Sequence, residues 1–148
     1  MNMTTVQPAP TASAKGAGSS DILAKGEQLY VALRTGDVEV LYRLLSPNFR
    51  GELTAGLPHG FGRVYEGLDV MIGQGWSAVG EYFQIGPQVD RMYDGGDVLI
   101  GRGWYMGTAK PTGKPVRAAF AHFWSYDGER FTGVQQVTDS ATWAAALI

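Results

Sequence analysis

The segment Gly113–Asp139, GKPVRAAFAHFWSYDGERFTGVQQVTD, decides the fold of this 148-residue chain. Two runs rich in aromatic and β-branched residues flank Asp127-Gly128, a pair typical of a tight hairpin turn. We therefore predict two antiparallel strands, Lys114–Tyr126 and Arg130–Thr138. Alternation along the first strand places His122 on an apolar, aromatic face that we expect to be half-buried.

A second hairpin precedes the first. Asp94-Gly95-Gly96 separates two further runs of alternating residues, and this predicts strands over Gln84–Met92 and Asp97–Thr108. A shorter strand is predicted over Phe49–Thr54. The loop Ala55–Gly67 that follows is rich in glycine yet unusually apolar, so we expect it to fold over something.

Helical patterns occupy the first half of the chain. Candidate N-caps at Ser19-Ser20-Asp21 and a terminal glycine at Gly36 predict a first helix between them. Similar signals predict a short helix over Val38–Leu45 and a third over Leu68–Phe83. The stretch Ser140–Ile148 is rich in alanine and predicts a short terminal helix. Helices that come before a run of long strands indicate an α+β fold, with helices on one face of an antiparallel sheet.

The length and the amino-terminal composition predict one domain over residues 21–148, preceded by a flexible tail over residues 1–20. The tail has no apolar core of the kind that a secretory signal needs, so we expect a cytoplasmic protein. Twelve basic and 14 acidic residues give a net charge of −2 without any basic cluster. This argues against nucleic acid or a membrane as a partner. With no cysteine and two histidines, we predict no metal site.

Two residues of the first hairpin have side chains suited to acid–base chemistry. Asp139, if buried in an apolar pocket, would have a raised pKa and could act as general acid or base. It also precedes Ser140-Ala141-Thr142-Trp143, so it could instead cap the last helix. His122 could orient a substrate or share the proton, or it could be a core histidine. The residues alone leave these alternatives open.

Other side chains could bind a ligand. Trp76, Trp104 and Trp124 could line an aromatic cavity, although tryptophans at such spacings are also ordinary core residues. Arg102 lies between two glycines of a strand and could hold an anionic or carbonyl group, or it could be a solvated surface arginine. His59 we expect to be an exposed loop residue.

Three passages of the sequence resemble those of one family: Tyr65-Glu66-Gly67, GDVLIGRGWYMGTAKPTGKPV at 96–116 and FAHFWSYDGERFTGVQQVTD at 120–139. With the order of elements, they make the chain similar to the SnoaL-like polyketide cyclases of the NTF2-like superfamily. Ketosteroid isomerases and limonene-epoxide hydrolases are relatives in that superfamily. The resemblance covers about residues 21–147.

The resemblance implies an α+β cone, in which three helices pack on a strongly curved antiparallel sheet and enclose a deep apolar pocket. It also implies a homodimer through the outer face of the sheet and no cofactor. The family's pocket histidine and aspartate correspond to His122 and Asp139. The residues expected to bind the substrate are Trp76, Trp104, Trp124, Phe120, Tyr65, Gln135 and Arg102.

The function expected from the resemblance is a cofactor-independent cyclase or isomerase that closes a ring in a polyketide-like small molecule of secondary metabolism. Asp139, assisted by His122, would move a proton while the pocket folds the substrate. Pericyclic closure without an essential acid is a variant. The alternatives are an epoxide hydrolase or epoxide-opening cyclase, and a non-catalytic module that binds a small molecule.

Overall fold

The structure, a computed structural model, describes Gln7–Pro8 and residues 20–148. Within these residues the helices are α1 Ser20–Thr35, α2 Val38–Leu44, α3 from Leu68 to Tyr82 and α4 Ser140–Ala145. The strands are β1 Gln7–Pro8, β2 Leu45–Glu52, β3 Val64–Glu66, β4 Phe83–Asp94, β5 Val98–Ala109, β6 Pro115–Tyr126 and β7 Phe131–Thr138.

The first helix lies between its predicted caps, and the second ends at Leu44, one residue earlier than predicted. Gly36 follows α1 with a φ of 72°, a conformation that glycine adopts readily at the end of a helix. The Asp37 carboxylate then accepts a hydrogen bond of 3.2 Å from the Val40 backbone N–H and caps α2. β2 starts immediately after α2, four residues earlier than predicted. Its Pro47 is tolerated because it falls in an irregular stretch of the β2–β7 pairing.

Helix α3 is irregular, because Met71–Trp76 forms a π-helix between two short α-helical segments, Leu68–Val70 and Ser77–Tyr82. A π-helical turn holds one more residue than an α-helical turn and rotates the side chains that follow it. Three glycines of this helix lower its intrinsic propensity, so tertiary packing has to hold it in place.

The sheet has the order β1-β4-β5-β6-β7-β2-β3. The four long strands β4 to β7 form an antiparallel meander, as predicted. β2 pairs parallel to β7, so the sheet is mixed rather than wholly antiparallel. A parallel pairing is possible here because the chain between β2 and β7 spans most of the domain. Bulges in the β4–β5 and β6–β7 pairings bend the long strands.

The helices cover one face of this sheet. α1 packs across β4 and β5, and the even-numbered residues from Val116 to Tyr126 on β6 are buried beneath the helices, as their alternation predicted. The opposite face carries exposed apolar side chains, among them Phe123 and Val137. The predicted homodimer through this outer face stays a prediction.

The predicted tail over residues 1–20 lies mostly outside the described residues. Within it, Gln7–Pro8 pairs in parallel with Arg91–Met92 at the edge of β4. In residues 20–148, every helix is too short or too polar to traverse a lipid bilayer.

Candidate functional site

A cavity of about 450 Å³ lies between the helices and the inner face of the sheet. The loop after β2 closes part of it with Leu57 and Phe61, so the prediction that this apolar loop folds over something is confirmed. Most of the lining is apolar. The polar side chains deep in the lining are Tyr105, His122 and Gln136, on β5, β6 and β7.

His122 occupies the centre of a buried polar network. Its side chain is 3% exposed. The Nδ1 atom lies 2.8 Å from the Tyr30 hydroxyl of α1, and Nε2 lies 2.7 Å from the Tyr105 hydroxyl. Burial lowers the pKa of His122 from 6.5 to about 3, because a charged imidazolium would lose its hydration. At neutral pH the ring is therefore uncharged, with one nitrogen that donates and one that accepts.

The neighbouring amide of Gln136 has a defined orientation. The backbone N–H of Thr54 donates to Gln136 Oε1 at 3.0 Å, and a backbone N–H can only donate. The other end of the amide, Nε2, therefore donates to the Tyr105 hydroxyl at 2.9 Å. The Thr54 hydroxyl also bonds Oε1, at 3.1 Å, and the Gln136 carbonyl, at 2.9 Å, and so strengthens this arrangement.

The Tyr30 hydroxyl determines which imidazole nitrogen carries the proton. It accepts a hydrogen bond of 2.9 Å from Trp124 Nε1, which is a donor only. Tyr30 is 1% exposed, and His122 Nδ1 is its sole acceptor among the described residues. Because a buried hydroxyl proton requires an acceptor, Tyr30 donates to Nδ1. The imidazole proton must then be on Nε2, from which it is donated to Tyr105.

The Tyr105 hydroxyl consequently accepts two hydrogen bonds, one from His122 Nε2 and one from Gln136 Nε2. Its own proton is left to be donated to a ligand in the cavity that Tyr105 borders. Burial raises the pKa of Tyr105 above its usual value, so the hydroxyl stays protonated at neutral pH. The Tyr105 hydroxyl can therefore donate a hydrogen bond to a carbonyl or ether oxygen. The hydrogen bonds from His122 and Gln136 hold this hydroxyl in place.

Glycine 101 makes room for this network. Gly101 on β5 pairs with His122 on β6, and a Cβ atom at position 101 would lie 2.2 Å from the Tyr30 hydroxyl oxygen. Any other residue at this position would displace Tyr30 from His122 Nδ1. The hydrogen bond between Tyr30 and His122 therefore requires glycine at position 101.

Three predicted site residues border the cavity, namely His122, Trp124 and Trp76. Two more are buried beside it without bordering it. Phe120 stacks on the His122 ring with a centroid separation of 4.2 Å. Tyr65 donates its hydroxyl proton to the Phe61 carbonyl at 2.8 Å, so it supports the covering loop.

The prediction that Asp139 projects into the pocket is wrong. Its carboxylate is exposed and caps α4, where it accepts hydrogen bonds from the Thr142 backbone N–H at 3.3 Å and the Thr142 hydroxyl at 2.6 Å. These hydrogen bonds lower the pKa of Asp139, the opposite of what a general acid would need. The alternative interpretation as a helix cap is therefore correct.

Three further predicted residues lie on the outer face of the sheet and cannot touch a ligand in the cavity. The Arg117 guanidinium covers the Trp104 ring at 3.5 Å from its centroid. Arg102 is exposed and donates to the Tyr93 hydroxyl at 3.5 Å. Gln135 is exposed, and its neighbour Gln136 takes the inward place.

Sequence reasoning missed Tyr30, Tyr105, Gln136 and Thr54. Tyr105 could have been found, because it alternates with Trp104 on a strand next to the one that carries His122. Tyr30 is one of several aromatic residues on a helix, and its contact spans 92 positions of the chain. His59 is exposed as expected, and its ring stacks on Tyr82 at 4.0 Å. Within the described ranges, no three His, Cys, Asp or Glu side chains converge as metal ligands.

Comparison with known proteins gives information about the fold. No protein-family model matches the sequence, and no curated protein matches it. Among solved structures, an NTF2-like protein from Burkholderia thailandensis is 26% identical with a TM-score of 0.77, over 84% of this chain and 95% of that one. An NTF2-like protein of unknown function from Burkholderia pseudomallei is 20% identical with a TM-score of 0.78, over 88% of this chain and 98% of that one.

A third similar structure is IdmH from Streptomyces antibioticus, described as a proposed polyketide cyclase. It is 22% identical to this chain with a TM-score of 0.69, over 84% of this chain and 96% of that one. Together with the helices on one face of a bent mixed sheet, these similarities establish that the chain has the NTF2-like fold.

Proposed function

We propose that this protein is a cofactor-independent cyclase or isomerase that closes a ring in a polyketide-like small molecule. The observation that carries the proposal is a largely apolar cavity of about 450 Å³, with the Tyr105 hydroxyl at its deep end held by hydrogen bonds from His122 and Gln136. The apolar walls would fold a flexible substrate, and the Tyr105 hydroxyl would donate to its carbonyl oxygen.

Within the described part of the chain, the site has no carboxylate that could serve as a general base. Both nitrogens of His122 are engaged in hydrogen bonds. With a pKa of about 3, the imidazole is also a weak base. We therefore favour the variant in which ring closure needs no proton transfer to the protein. In that variant, Tyr105 withdraws electrons from an alkene conjugated with the carbonyl, and this assists a pericyclic closure.

Two physical effects would supply the acceleration. Holding the two reacting ends together removes much of the entropic barrier of a ring closure. A hydroxyl fixed in a dry site stabilises charge that develops on the carbonyl oxygen more strongly than water does. His122 would then be a positioning residue, since it acts on the substrate only through Tyr105.

The alternatives fit the cavity less well. Hydrolysis of an epoxide requires a base that activates water, and the lining formed by the described residues offers no carboxylate for it. An epoxide-opening cyclase would need a base for the attacking hydroxyl as well. A non-catalytic binding module would use the same cavity, and turnover decides between these functions.

Replacing Tyr105 by phenylalanine tests the proposal. Wild-type protein and Tyr105→Phe are incubated with linear polyene ketones that can cyclise, and product is followed by chromatography with mass spectrometry. We expect the variant to lower kcat by about 10²- to 10³-fold, as loss of one such donor does elsewhere, with substrate affinity less affected. Trp104→Phe, on the outer face, is the matched control and should leave kcat unchanged.

Two results would contradict the proposal. Full activity of Tyr105→Phe would show that the shape of the cavity suffices. Tight binding of the ketones without any product would favour the binding module. An unfolding midpoint is measured for each variant, because removal of the hydroxyl leaves the His122 and Gln136 donors unpaired.

A further inference from the structure

The cavity has a deep end and an open end with different charge. At the deep end, His122, Trp124 and Gln136 are buried. The exposed lining residues are on the end of α1, the turn after it and the start of α2, on α3, at the start of β4 and just after β5. Among them are two charged side chains, Arg34 and Lys110, and both are cationic. The described lining contains no carboxylate that could balance them.

Both cations are held at this rim by contacts. A Cβ atom at Gly86 would lie 3.3 Å from Arg34 Cγ, so the stem of the arginine lies against β4. Lys110 Nζ donates to the Gly80 carbonyl at 2.6 Å and has further N–H groups for another acceptor. The ion pairs within residues 20–148 join other side chains, Asp21 with Lys25 and Arg50 with Glu66. The two rim charges therefore remain available to a ligand.

We infer that the substrate is an amphiphilic carboxylic acid, with its apolar body in the cavity and its carboxylate bound at the rim by Arg34 and Lys110. A guanidinium and an ammonium are suited to a carboxylate, the arginine through paired N–H groups. The inference rests on the proposed function, which makes this cavity the substrate site. It adds a second recognition point to the Tyr105 hydroxyl, so the substrate carries a terminal carboxylate and an oxygen further along the chain.

The rim cations and the net charge of the whole protein have opposite effects on an anionic ligand. The chain has a net charge of −2, which weakly disfavours an anion at long range. The two cations at the rim would favour a carboxylate locally, against this background. They would also orient the substrate, because the charged end stays in contact with water while the apolar part enters.

A second role for these cations must be separated from binding. Arg34 is in the last turn of α1, and Lys110 binds a carbonyl near the end of α3. Cations at helix C-termini stabilise the helix. A helix-stabilising role would lower the unfolding midpoint of a variant and leave the choice between charged and neutral ligands unchanged.

The test compares an acid with its ester. The probes are cis-parinaric acid, a linear polyene carboxylic acid, and its methyl ester, whose fluorescence rises in an apolar site. Binding to the full chain is measured at low salt and neutral pH. We expect the acid to bind about fivefold more tightly than the ester. Arg34→Gln and Lys110→Gln should each weaken binding of the acid by about twofold and leave binding of the ester unchanged. The double variant should bind both probes equally.

Arg130→Gln is the matched control, because it removes the same charge far from the rim. Arg130 lies in the turn next to Glu129, whose carbonyl accepts from Lys25 near the start of α1. Arg34 is at the other end of this 16-residue helix, and a helix of that length spans about 24 Å. This control should keep the full preference for the acid.

The proposal is overturned if wild-type protein binds acid and ester equally or binds neither, or if Arg130→Gln loses the preference as strongly as the rim variants. Added salt should weaken binding of the acid selectively, and an unchanged affinity at high salt would also contradict it. Its failure is distinguishable from failure of the proposed function. If the protein binds the acid more tightly than the ester but never forms product, the carboxylate site is supported and the proposed function fails.

Discussion

His122 is the residue around which the site is organised, although its role differs from that expected for a histidine in a pocket. Its two nitrogens are bonded to Tyr30 and Tyr105, and burial keeps the ring neutral. Alternation along β6 correctly placed His122 on the inner face. The partners could not be predicted, because they come from α1 and β5 and are joined to β6 only by the tertiary fold.

Gly101→Ala tests whether the contact between Tyr30 and His122 depends on a missing side chain. The added methyl group would lie 2.2 Å from the Tyr30 hydroxyl and force the ring to move. We expect a loss of about 1–3 kcal/mol in the free energy of unfolding, measured by urea denaturation, as for other overpacked core positions. Adding Tyr30→Phe should recover part of the loss, and no recovery would contradict the assigned contact.

Asp139→Asn separates a helix cap from a catalytic acid. Asparagine caps helices about as well as aspartate, so we expect turnover and the unfolding midpoint to stay close to those of the wild type. Asp139→Ala should lower the midpoint and leave turnover unchanged, since the carboxylate lies outside the cavity. A fall in kcat for Asp139→Asn, with the fold intact, would restore the aspartate to the mechanism.

At the scale of the elements, the register of one hairpin explains two wrong site predictions. A two-residue turn at Asp127-Gly128 would place Gly133 opposite His122. In the structure Tyr126 pairs with Phe131, and a bulge shifts the pairing once more, so that Gln136 faces His122. The total shift of three residues is odd. It therefore moves Gln135 and Asp139 together to the outer face.

Helix α3 carries the prediction that belongs to this scale. A Cβ atom at Gly73 would meet nothing within 4 Å, so we expect Gly73→Ala to stabilise the protein by about 0.5–1 kcal/mol through higher helix propensity. At Gly75 a Cβ atom would lie 2.3 Å from Met71 Cε, which is fully buried. Gly75→Ala should therefore destabilise the protein by about 1–3 kcal/mol. Urea denaturation of both variants checks the pair, and equal effects would contradict the π-helical packing.

For the whole molecule, the order of elements and the α+β class followed from the sequence, because the periodicity changes clearly after Phe83. The parallel pairing of β2 with β7 did not follow, since local patterns do not say which distant strands meet. The residues that line the cavity could be predicted only in part. Alternation separates a strand's two faces, but the register decides which of them turns toward the helices.

The pH dependence of unfolding tests the buried network as a whole. The pKa of His122 is about 3 in the folded protein and 6.5 when the ring is free in water, so the unfolded chain binds an extra proton between these values. The stabilisation that the neutral His122 ring gives to the folded state is complete above about pH 6.5 and is lost as the pH falls toward 3. Between pH 6 and pH 5, we expect the free energy of unfolding to fall with a slope approaching about 1.4 kcal/mol per pH unit.

This window lies above the range in which most carboxylates titrate. His59→Gln, an exposed loop variant, should keep the slope, and His122→Gln should flatten it. The urea midpoint of each variant is measured at each pH. A slope that persists in His122→Gln would show that another group causes the pH dependence.

The division of the cavity between sheet and helices has a consequence for how such proteins diversify. The hydroxyl, imidazole and amide come from the strands, whereas Ile72, Trp76 and Val79 come from α3. The α3 residues that line the cavity can therefore be exchanged, during evolution or in the laboratory, without disturbing the polar side chains on the strands. Under the proposed function, a library randomised at these three positions should yield variants that accept different carbon skeletons, with the Tyr105 hydroxyl as their common donor.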